Sequence, residues 1–292
     1  MSAPVAVVDV GSNSLHLHVA RLSDGALETL AVGRAAVRLG VLDDQGCLRD
    51  EAVEGALGAL AEFLDEARAL GCVAFEACAT AAVREAADSA RLIRGAEALG
   101  VHLRVLTGRQ EALATWSGAQ RALGFEEALV FDLGGRSTEL VVGRADRIDL
   151  VESLPLGHLV VADWERVAIS EAVESCLDAI DVDTVPRVVG CAGTALALVT
   201  MAATARGERP ANRHGLYIST EELRLLVDRL YEPDPHRIPG VDTRRLDSLP
   251  GGAAAVLALL EGLDLAGYTS SESALREGLL HTLLSNPRRS PC

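Results

Sequence analysis

One short pattern occurs twice in this chain and constrains its fold more than any other feature. Residues 7–19 read VVDVGSNSLHLHV and residues 130–142 read VFDLGGRSTELVV. In register, Asp9 pairs with Asp132, Gly11 with Gly134, Ser14 with Ser137 and Leu17 with Leu140. Each copy is an apolar run, an Asp, a glycine-containing polar turn and a second alternating apolar run. That order predicts a β-hairpin with an aspartate at the end of its first strand. Glycine lets backbone N–H groups approach a ligand closely, and Ser or Thr adds hydroxyl donors. Two such hairpins facing each other across a cleft suit a phosphate chain, with Asp9 and Asp132 directed at a metal ion.

The chain has 292 residues, enough for two domains of about 100–200 residues, as the separation of the two copies also implies. With 49% apolar and 24% charged residues, the composition is that of a globular protein. No apolar run approaches the roughly 18 residues a membrane helix needs; the longest, 253–260, stops at Glu261. The N-terminal MSAPVAVVDV has no basic region before its apolar run and reads as the start of the first hairpin, not as a signal peptide. Six cysteines, at 47, 72, 78, 176, 191 and 292, lack C-x-x-C spacing, the pattern of free thiols in a reducing, cytoplasmic setting.

Lysine is absent, so all 27 basic residues are arginine. A Walker A loop, which requires its Lys, is therefore excluded. Any phosphate clamp is built from guanidinium forks. Genomic base composition suffices to explain the bias. The net charge of −15 opposes binding to nucleic acid or anionic membrane. An anionic substrate would need local arginines and a bound cation.

Residues 5–8, 15–20 and the segment to Leu39 read as three strands. Asp50 is placed to cap a helix with Val53, Leu57, Leu60, Phe63, Leu64 and Leu70 on its apolar stripe, closed by Gly71. A strand at 72–78, a helix at 82–99, a strand at 102–106 and a helix from Arg109 complete a βββαβαβα succession, the connectivity of an RNase H-like domain. The second copy predicts strands at 128–131, 139–142, 148–154 and 187–190. Helices are expected at 159–180, 194–205, 220–229, 251–263 and 273–284, and loops at 207–210 and 232–239. The domains are expected at 1–120 and 121–292, the last helix being free to pack back on the first domain.

The motifs taken in order resemble the exopolyphosphatase / guanosine pentaphosphate phosphohydrolase (Ppx/GppA) family. They are DVGSNS (9–14), RAAVRLG (34–40), ATAAVREA (79–86), LTGRQEA (106–112), DLGGRSTEL (132–140), SLPLG (153–157), GCAGT (190–194), LPGG (249–252) and ALREGLL (274–280). The resemblance implies an α/β fold of two duplicated RNase H-like domains with an interdomain cleft, as in the actin, Hsp70 and sugar-kinase superfamily. It also implies a homodimer. Position by position, Glu111 stands where the family has its proposed catalytic base, and Arg84 where it has a phosphate-binding arginine. Asp9, Asp132 and Glu139 match the acidic residues that would hold Mg²⁺. Gly11, Ser12, Asn13 and Ser14, with Gly134, Gly135, Arg136, Ser137 and Thr138, match its two phosphate loops. Gly190, Gly193 and Thr194 match a third glycine turn at a helix start, and Arg34 and Arg38 match basic positions near the first loop.

Bland readings stand beside several of these. Glu111 could be a first-turn helix glutamate favoured by the helix dipole, and an Asp before a turn could simply cap it. His16 and His18 alternate along one strand face; His-x-His can bind metal, but with no third histidine near, structural or near-loop roles are expected. The chain also departs from the family pattern. Gln110 replaces the first acid of S-G-x-E-E-A-R, Leu113 replaces its Arg, His158 follows SLPLG, and Arg136 replaces the third glycine of D-x-G-G-G-S-T-E. A residue other than glycine there costs roughly 1 kcal/mol if φ is positive, and its side chain would either obstruct the loop or contact phosphate. The expected activity is Mg²⁺-dependent removal of the terminal phosphate from inorganic polyphosphate, short chains in particular. Guanosine pentaphosphate hydrolysis is the alternative, and a weakly active phosphate-chain-binding protein a third.

Overall fold

The computed structural model describes residues 2–144, 147–177 and 186–285. The chain forms two compact units. One runs to Ala114 and resumes at Leu275; the other is Thr115–Ala274. The boundary, expected at residue 120, thus falls inside a helix, and the last helix belongs with the first unit.

In the first unit, β1 (Val5–Val10), β2 (Ser14–Ser23) and β3 (Ala26–Ala36) are followed by α1 (Asp50–Ala69), β4 (Phe75–Ala79), α2 (Ala81–Glu85), α3 (Ala90–Ala98), β5 (Leu103–Val105) and α4 (Gly108–Leu123). The sheet order is β3-β2-β1-β4-β5, with β1–β2–β3 antiparallel and β4 and β5 parallel to β1. The alternation of β1 and β2 sends Val8, Val10, Leu15 and Leu17 to one face, where Leu60, Phe63 and Leu64 of α1 cover them. The other face, with Val5, Val7 and Cys78, packs on Leu275, Leu279 and Leu280 of α9 (Leu275–Ser285). Each buried leucine of this kind contributes about 1.5–3 kcal/mol.

Two local readings differ from the sequence expectation. Asp50 does not cap α1; Arg49 takes the cap position, and the Asp50 carboxylate instead accepts from Arg91 Nη1 at 2.6 Å. The helix expected over 82–99 breaks into α2 and α3. Its middle is tied to the preceding loop, as Leu48 N donates to Asp88 Oδ1 (2.8 Å) and Ala87 N to Gly46 O (2.9 Å). These bonds satisfy the backbone where a continuous helix would otherwise do so.

The second unit holds β6 (Glu127–Leu133), β7 (Thr138–Arg144), β8 (Arg147–Leu154), α5 (Arg166–Leu177), β9 (Val188–Cys191), α6 (Ala192–Ala205), β10 (Tyr217–Ser219), α7 (Thr220–Leu230), α8 (Leu249–Gly262) and β11 (Gly267–Ser270). Its sheet order is β10-β11-β9-β6-β7-β8. The central places repeat the first unit: β6–β7–β8 antiparallel, then β9 and β11 parallel to β6. Two strands were not foreseen, β10 and β11. Both are short, and β11 opens on Gly267 in a conformation (φ +151°) that carries little strand signal. The helix expected from residue 159 begins only at Arg166, because the 156–161 segment is bound to the β6–β7 turn; residues 178–180 of that expectation lie outside the described residues. Residues 253–260 of α8 are all buried, among α5, α6 and α7. The amphipathic α7 starts at a full capping box between Ser219 and Glu222. Among the described residues, no helix is long and apolar enough to cross a membrane.

Backbone comes close between α4 and α9, where a Cβ on Gly278 would lie 1.9 Å from Ala114 O. Gly278→Ala should destabilise the protein by roughly 1–3 kcal/mol. Thermal unfolding followed by circular dichroism checks this, and an unchanged midpoint would show that the helices do not meet as described.

Candidate active site

Both copies of the repeated pattern fold alike. In the first unit, Gly11 N donates to Ser14 O (3.2 Å); in the second, Gly134 N donates to Ser137 O (2.9 Å). Asp9 lies opposite His16 across β1–β2, and Asp132 lies opposite Glu139 across β6–β7. The parallel neighbours match too: Asp9 pairs with Cys78 on β4, and Asp132 with Cys191 on β9. The register seen in the sequence is therefore the register of the two sheets.

In the first unit, the candidate residues gather where β1, β4 and β5 end, at the carboxyl edge that parallel strands offer to ligands. The first loop, Gly11–Ser14, is braced by Gly40 N on Ser12 O (2.7 Å) and by Val37 N and Arg38 N on Asn13 O (both 3.1 Å). Ser12 and Ser14 are buried. Arg34 reaches Ser14 Oγ from Nη2 (3.2 Å) and Nε (3.3 Å). Arg38 is exposed and its backbone is left-handed, with φ 55°. Beside this loop, Thr80 N donates to Val10 O (3.3 Å), so α2 starts next to it and carries Arg84.

Arg84 and Glu111 come from separate motifs and meet. Arg84 Nη1 donates to Glu111 Oε2 at 3.1 Å and to Leu106 O at 2.9 Å; the two side chains are 25% and 12% exposed. Gln110 explains its own departure. Its Oε1 accepts from Thr107 N (3.0 Å) while Thr107 Oγ1 accepts from Gln110 N (3.2 Å), closing a capping box at the start of α4. The helix start is thus capped without the Glu111 carboxylate, which turns to Arg84.

In the second unit, Glu139 is buried, at 2% exposure, and faces Asp132. Ser153 Oγ donates to Glu139 Oε1 (2.9 Å), and buried Thr115 donates from Oγ1 to Asp132 Oδ2 (3.2 Å). The loop 134–137 is held from outside by His158 N on Gly134 O (3.0 Å) and Leu159 N on Gly135 O (2.8 Å). Buried Thr138 donates from Oγ1 to Leu156 O. The strained-glycine expectation for Arg136 is overturned, since its φ is not positive. The glycine this loop demands is Gly157, where a Cβ would fall 2.3 Å from Arg136 N. At the third turn, the left-handed residue is Ala192 (φ 65°), not one of the glycines. Arg245 donates from Nη1 to Gly193 O (2.6 Å) and from Nη2 to buried Thr194 Oγ1 (3.3 Å). Arg245, Thr115 and Ser153 are contacts the sequence reading missed. Ser153 lay inside a quoted motif and Arg245 just before another, but nothing in spacing assigned them partners.

Two carboxylates directly opposite on one sheet face, with Cβ atoms about 4.5–5.5 Å apart, repel. A shared cation or proton relieves that. The Asp132–Glu139 pair therefore fits a divalent cation that uses few carboxylates and takes its remaining ligands from water and substrate, as Mg²⁺ does. Among the described residues, no three His, Cys, Asp or Glu side chains form a metal-holding group by themselves. His16 and His18 do not form a metal pair. His18 bridges Glu277 (Nδ1, 3.0 Å) and Thr29 (Nε2, 2.9 Å), while His16 lies near Arg34 and Arg276.

Burial, aided by Arg276 and Arg34, lowers the His16 pKa to about 4. Burial, aided by Arg245, does the same for His158, whose Nδ1 lies 3.1 Å from Ser248 Oγ. Both folded values are below the ordinary 6.5, so the unfolded chain binds more protons between pH 6.5 and about 4. Stability is therefore complete above pH 6.5 and falls as pH drops through that window. At about 1.4 kcal/mol per pKa unit, each imidazole accounts for up to about 3 kcal/mol of that loss. In His158→Gln, the fall in melting temperature from pH 7 to pH 4.5 should be smaller than in the parent; equal falls would remove His158 from the acid transition.

Paired β-β-β hairpin sheets with glycine turns at their acidic ends define an actin-like, two-domain α/β protein. Solved structures agree. The Aquifex aeolicus member of the Ppx/GppA family superposes with TM-score 0.84 at 25% identity, covering 99% of each chain. An exopolyphosphatase from Cytophaga hutchinsonii shares the fold, with TM-score 0.84 at 24% identity, covering 97% of this chain and 98% of that one. A profile of the Ppx/GppA phosphatase family matches residues 18–286. The chain belongs to that family. Among curated relatives, the guanosine-5'-triphosphate,3'-diphosphate pyrophosphatase of Vibrio vulnificus is 28% identical over 97% of this chain and 60% of its own length. The corresponding Vibrio campbellii protein is 28% identical over 99% of this chain and 61% of its own. The chain thus spans about three fifths of the length of these relatives.

Proposed function

We propose that this protein is a phosphoanhydride hydrolase that removes the terminal phosphate of short-chain inorganic polyphosphate. The observation that carries this reading is the Arg84–Glu111 pair, joining α2 to the start of α4 beside the Gly11–Ser14 turn. Phosphoryl transfer needs little covalent chemistry from a protein; it needs positioning and a field that offsets the charge on the transferred group. Glu111 orients a water molecule and accepts its proton as the oxygen attacks the terminal phosphorus. The bridging P–O bond breaks, and its electron pair leaves with the shortened chain. Arg84, with its five donors, keeps Leu106 O and turns remaining N–H groups to the terminal phosphate oxygens. In each unit the glycine turn, Gly11–Ser14 in the first and Gly134–Ser137 with Thr194 in the second, offers backbone N–H and hydroxyl donors to phosphate oxygens. Asp132 and Glu139 in the second unit, or Asp9 in the first, are the carboxylates available to a Mg²⁺ ion, which when bound would neutralise phosphate charge.

A second reading is favoured by the names of the Vibrio relatives: guanosine pentaphosphate, cleaved at its 5′ γ-phosphate, by the same groups. Phosphate release from defined short polyphosphates, long polyphosphate and guanosine pentaphosphate, each with and without Mg²⁺, separates the two. Release from the nucleotide alone selects the second reading, and release from none rejects the hydrolase.

Glu111→Gln should keep the fold and substrate binding while lowering turnover by roughly 10²–10⁴, the usual contribution of a general base. Turnover at the parental rate would take Glu111 out of the mechanism. Arg136→Gly should raise the apparent KM for a polyphosphate and leave the folding free energy within about 1 kcal/mol of the parent's. Unchanged kinetics on every substrate would make Arg136 a solvent-facing substitution.

A further inference from the structure

Two turns of the second unit, residues 134–137 and 192–194, leave the sheet side by side, because β6 and β9 are parallel neighbours whose pairing ends at Asp132 and Cys191. Neighbouring strands lie about 4.8 Å apart, so adjacent phosphates of one chain can engage both turns. A polar path joins the turns beyond the end of the ladder. His158 N donates to Gly134 O (3.0 Å) and Leu159 N to Gly135 O (2.8 Å), which fixes this segment to the first turn. The imidazole of His158 then meets Ser248, Nδ1 lying 3.1 Å from Oγ. Ser248 N donates to Arg245 O (3.0 Å), and the Arg245 guanidinium donates to Gly193 O and Thr194 Oγ1 of the second turn. Gly252 of α8 lies between the two ends: a Cβ there would come 2.9 Å from His158 Cβ and 3.1 Å from Thr194 Cγ2.

Ser248 is the N-cap residue of α8, where a serine hydroxyl ordinarily accepts from a backbone N–H of the helix. Here it makes no such bond, and Pro250 in the first turn has no N–H to offer. The hydroxyl is left to the imidazole. His158 and Ser248 are each only 6% exposed, so neither is placed to touch a ligand. Burial and Arg245, against a smaller opposing effect of Asp247, keep His158 neutral at pH 7, so it adds no charge to the turns. Its contribution there is geometric. We propose that the His158–Ser248 pair is a positioning element that ties the 134–137 turn to the 192–194 turn, so that their donors meet a phosphate chain already in place. A ligand that engages both turns gains from this, because ordering one turn against the other is settled in folding and not in binding. A ligand that engages one turn gains nothing.

The proposal rests on the reading that these turns bind phosphate, so its test compares ligands of one and two phosphoryl groups without turnover. Orthophosphate and the non-hydrolysable methylenediphosphonate are titrated into the intact protein by isothermal calorimetry with Mg²⁺ present. The parent should bind methylenediphosphonate the more tightly. Ser248→Ala should weaken methylenediphosphonate by about fivefold and orthophosphate by less than about twofold. Ser248→Thr, which keeps the hydroxyl, should restore the difference. A role confined to stability would lower the melting temperature and leave both affinities alone. The proposal is overturned, while the phosphate reading stands, by a parent that binds both ligands equally, by equal losses or no loss in a folded Ser248→Ala variant, or by a loss that Ser248→Thr does not restore. A parent that binds neither ligand overturns both. Should Ser248→Ala fail to fold, His158→Leu and His158→Asn decide: the leucine variant alone should lose the preference, since an asparagine amide still offers Ser248 a partner.

Discussion

Cross-strand register is the constraint on which both turns depend. A strand alternates its side chains with period two, so a slip of one residue in β1–β2 or β6–β7 would send every core valine and leucine to the wrong face. Val8, Val10, Leu15 and Leu17 on one sheet, and Leu129, Phe131, Leu133 and Leu140 on the other, fix that register by burial. The same register leaves Asp9 and Asp132 at strand ends with a defined partner opposite each. Core packing and site geometry are two faces of one pairing, and neither can be changed without the other.

Around the turns, the backbone is held from outside, and the strain does not lie where the motif suggests. Arg38 and Ala192 adopt left-handed conformations that glycine would accept more readily. Arg38 is held by its N–H on Asn13 O; Ala192 starts α6 at the end of β9. Gly157 shows the opposite case: its φ is ordinary, but the Gly135–Arg136 backbone passes too close for any Cβ. The second loop therefore tolerates Arg136 because its neighbour in space has no side chain.

Both hairpins, their mutual register and most helices were legible in the sequence, because apolar periodicity and the paired aspartates are local signals. Glu111 and Arg84 were named from their motifs; that they touch depends on β4 and β5 pairing, which periodicity does not report. The break between α2 and α3 was invisible, since Asp88 and Ala87 look helical until the 46–48 loop claims their hydrogen bonds. β10 and β11 are too short to show a period. Thr115, Ser153 and Arg245 escaped because a hydroxyl or guanidinium carries no mark of the distant carboxylate or carbonyl it will meet. Asp50 misled for the converse reason. It has the ordinary character of a cap, but Arg91 offers its carboxylate a charged partner.

Every cation placed at these turns is a guanidinium: Arg34 on Ser14, Arg84 on Glu111, Arg245 on Gly193 and Thr194. An ammonium in half-buried surroundings such as those of Arg84 and Arg245 sheds its proton readily, whereas a guanidinium keeps its charge throughout the range in which proteins stay folded. The positive field at the turns is accordingly indifferent to alkali, and an alkaline fall in any rate would have to originate elsewhere. The absence of lysine extends this to covalent chemistry. Acetylation and reductive methylation act on side-chain amines, and this chain presents none, so lysine-directed modification passes these turns by.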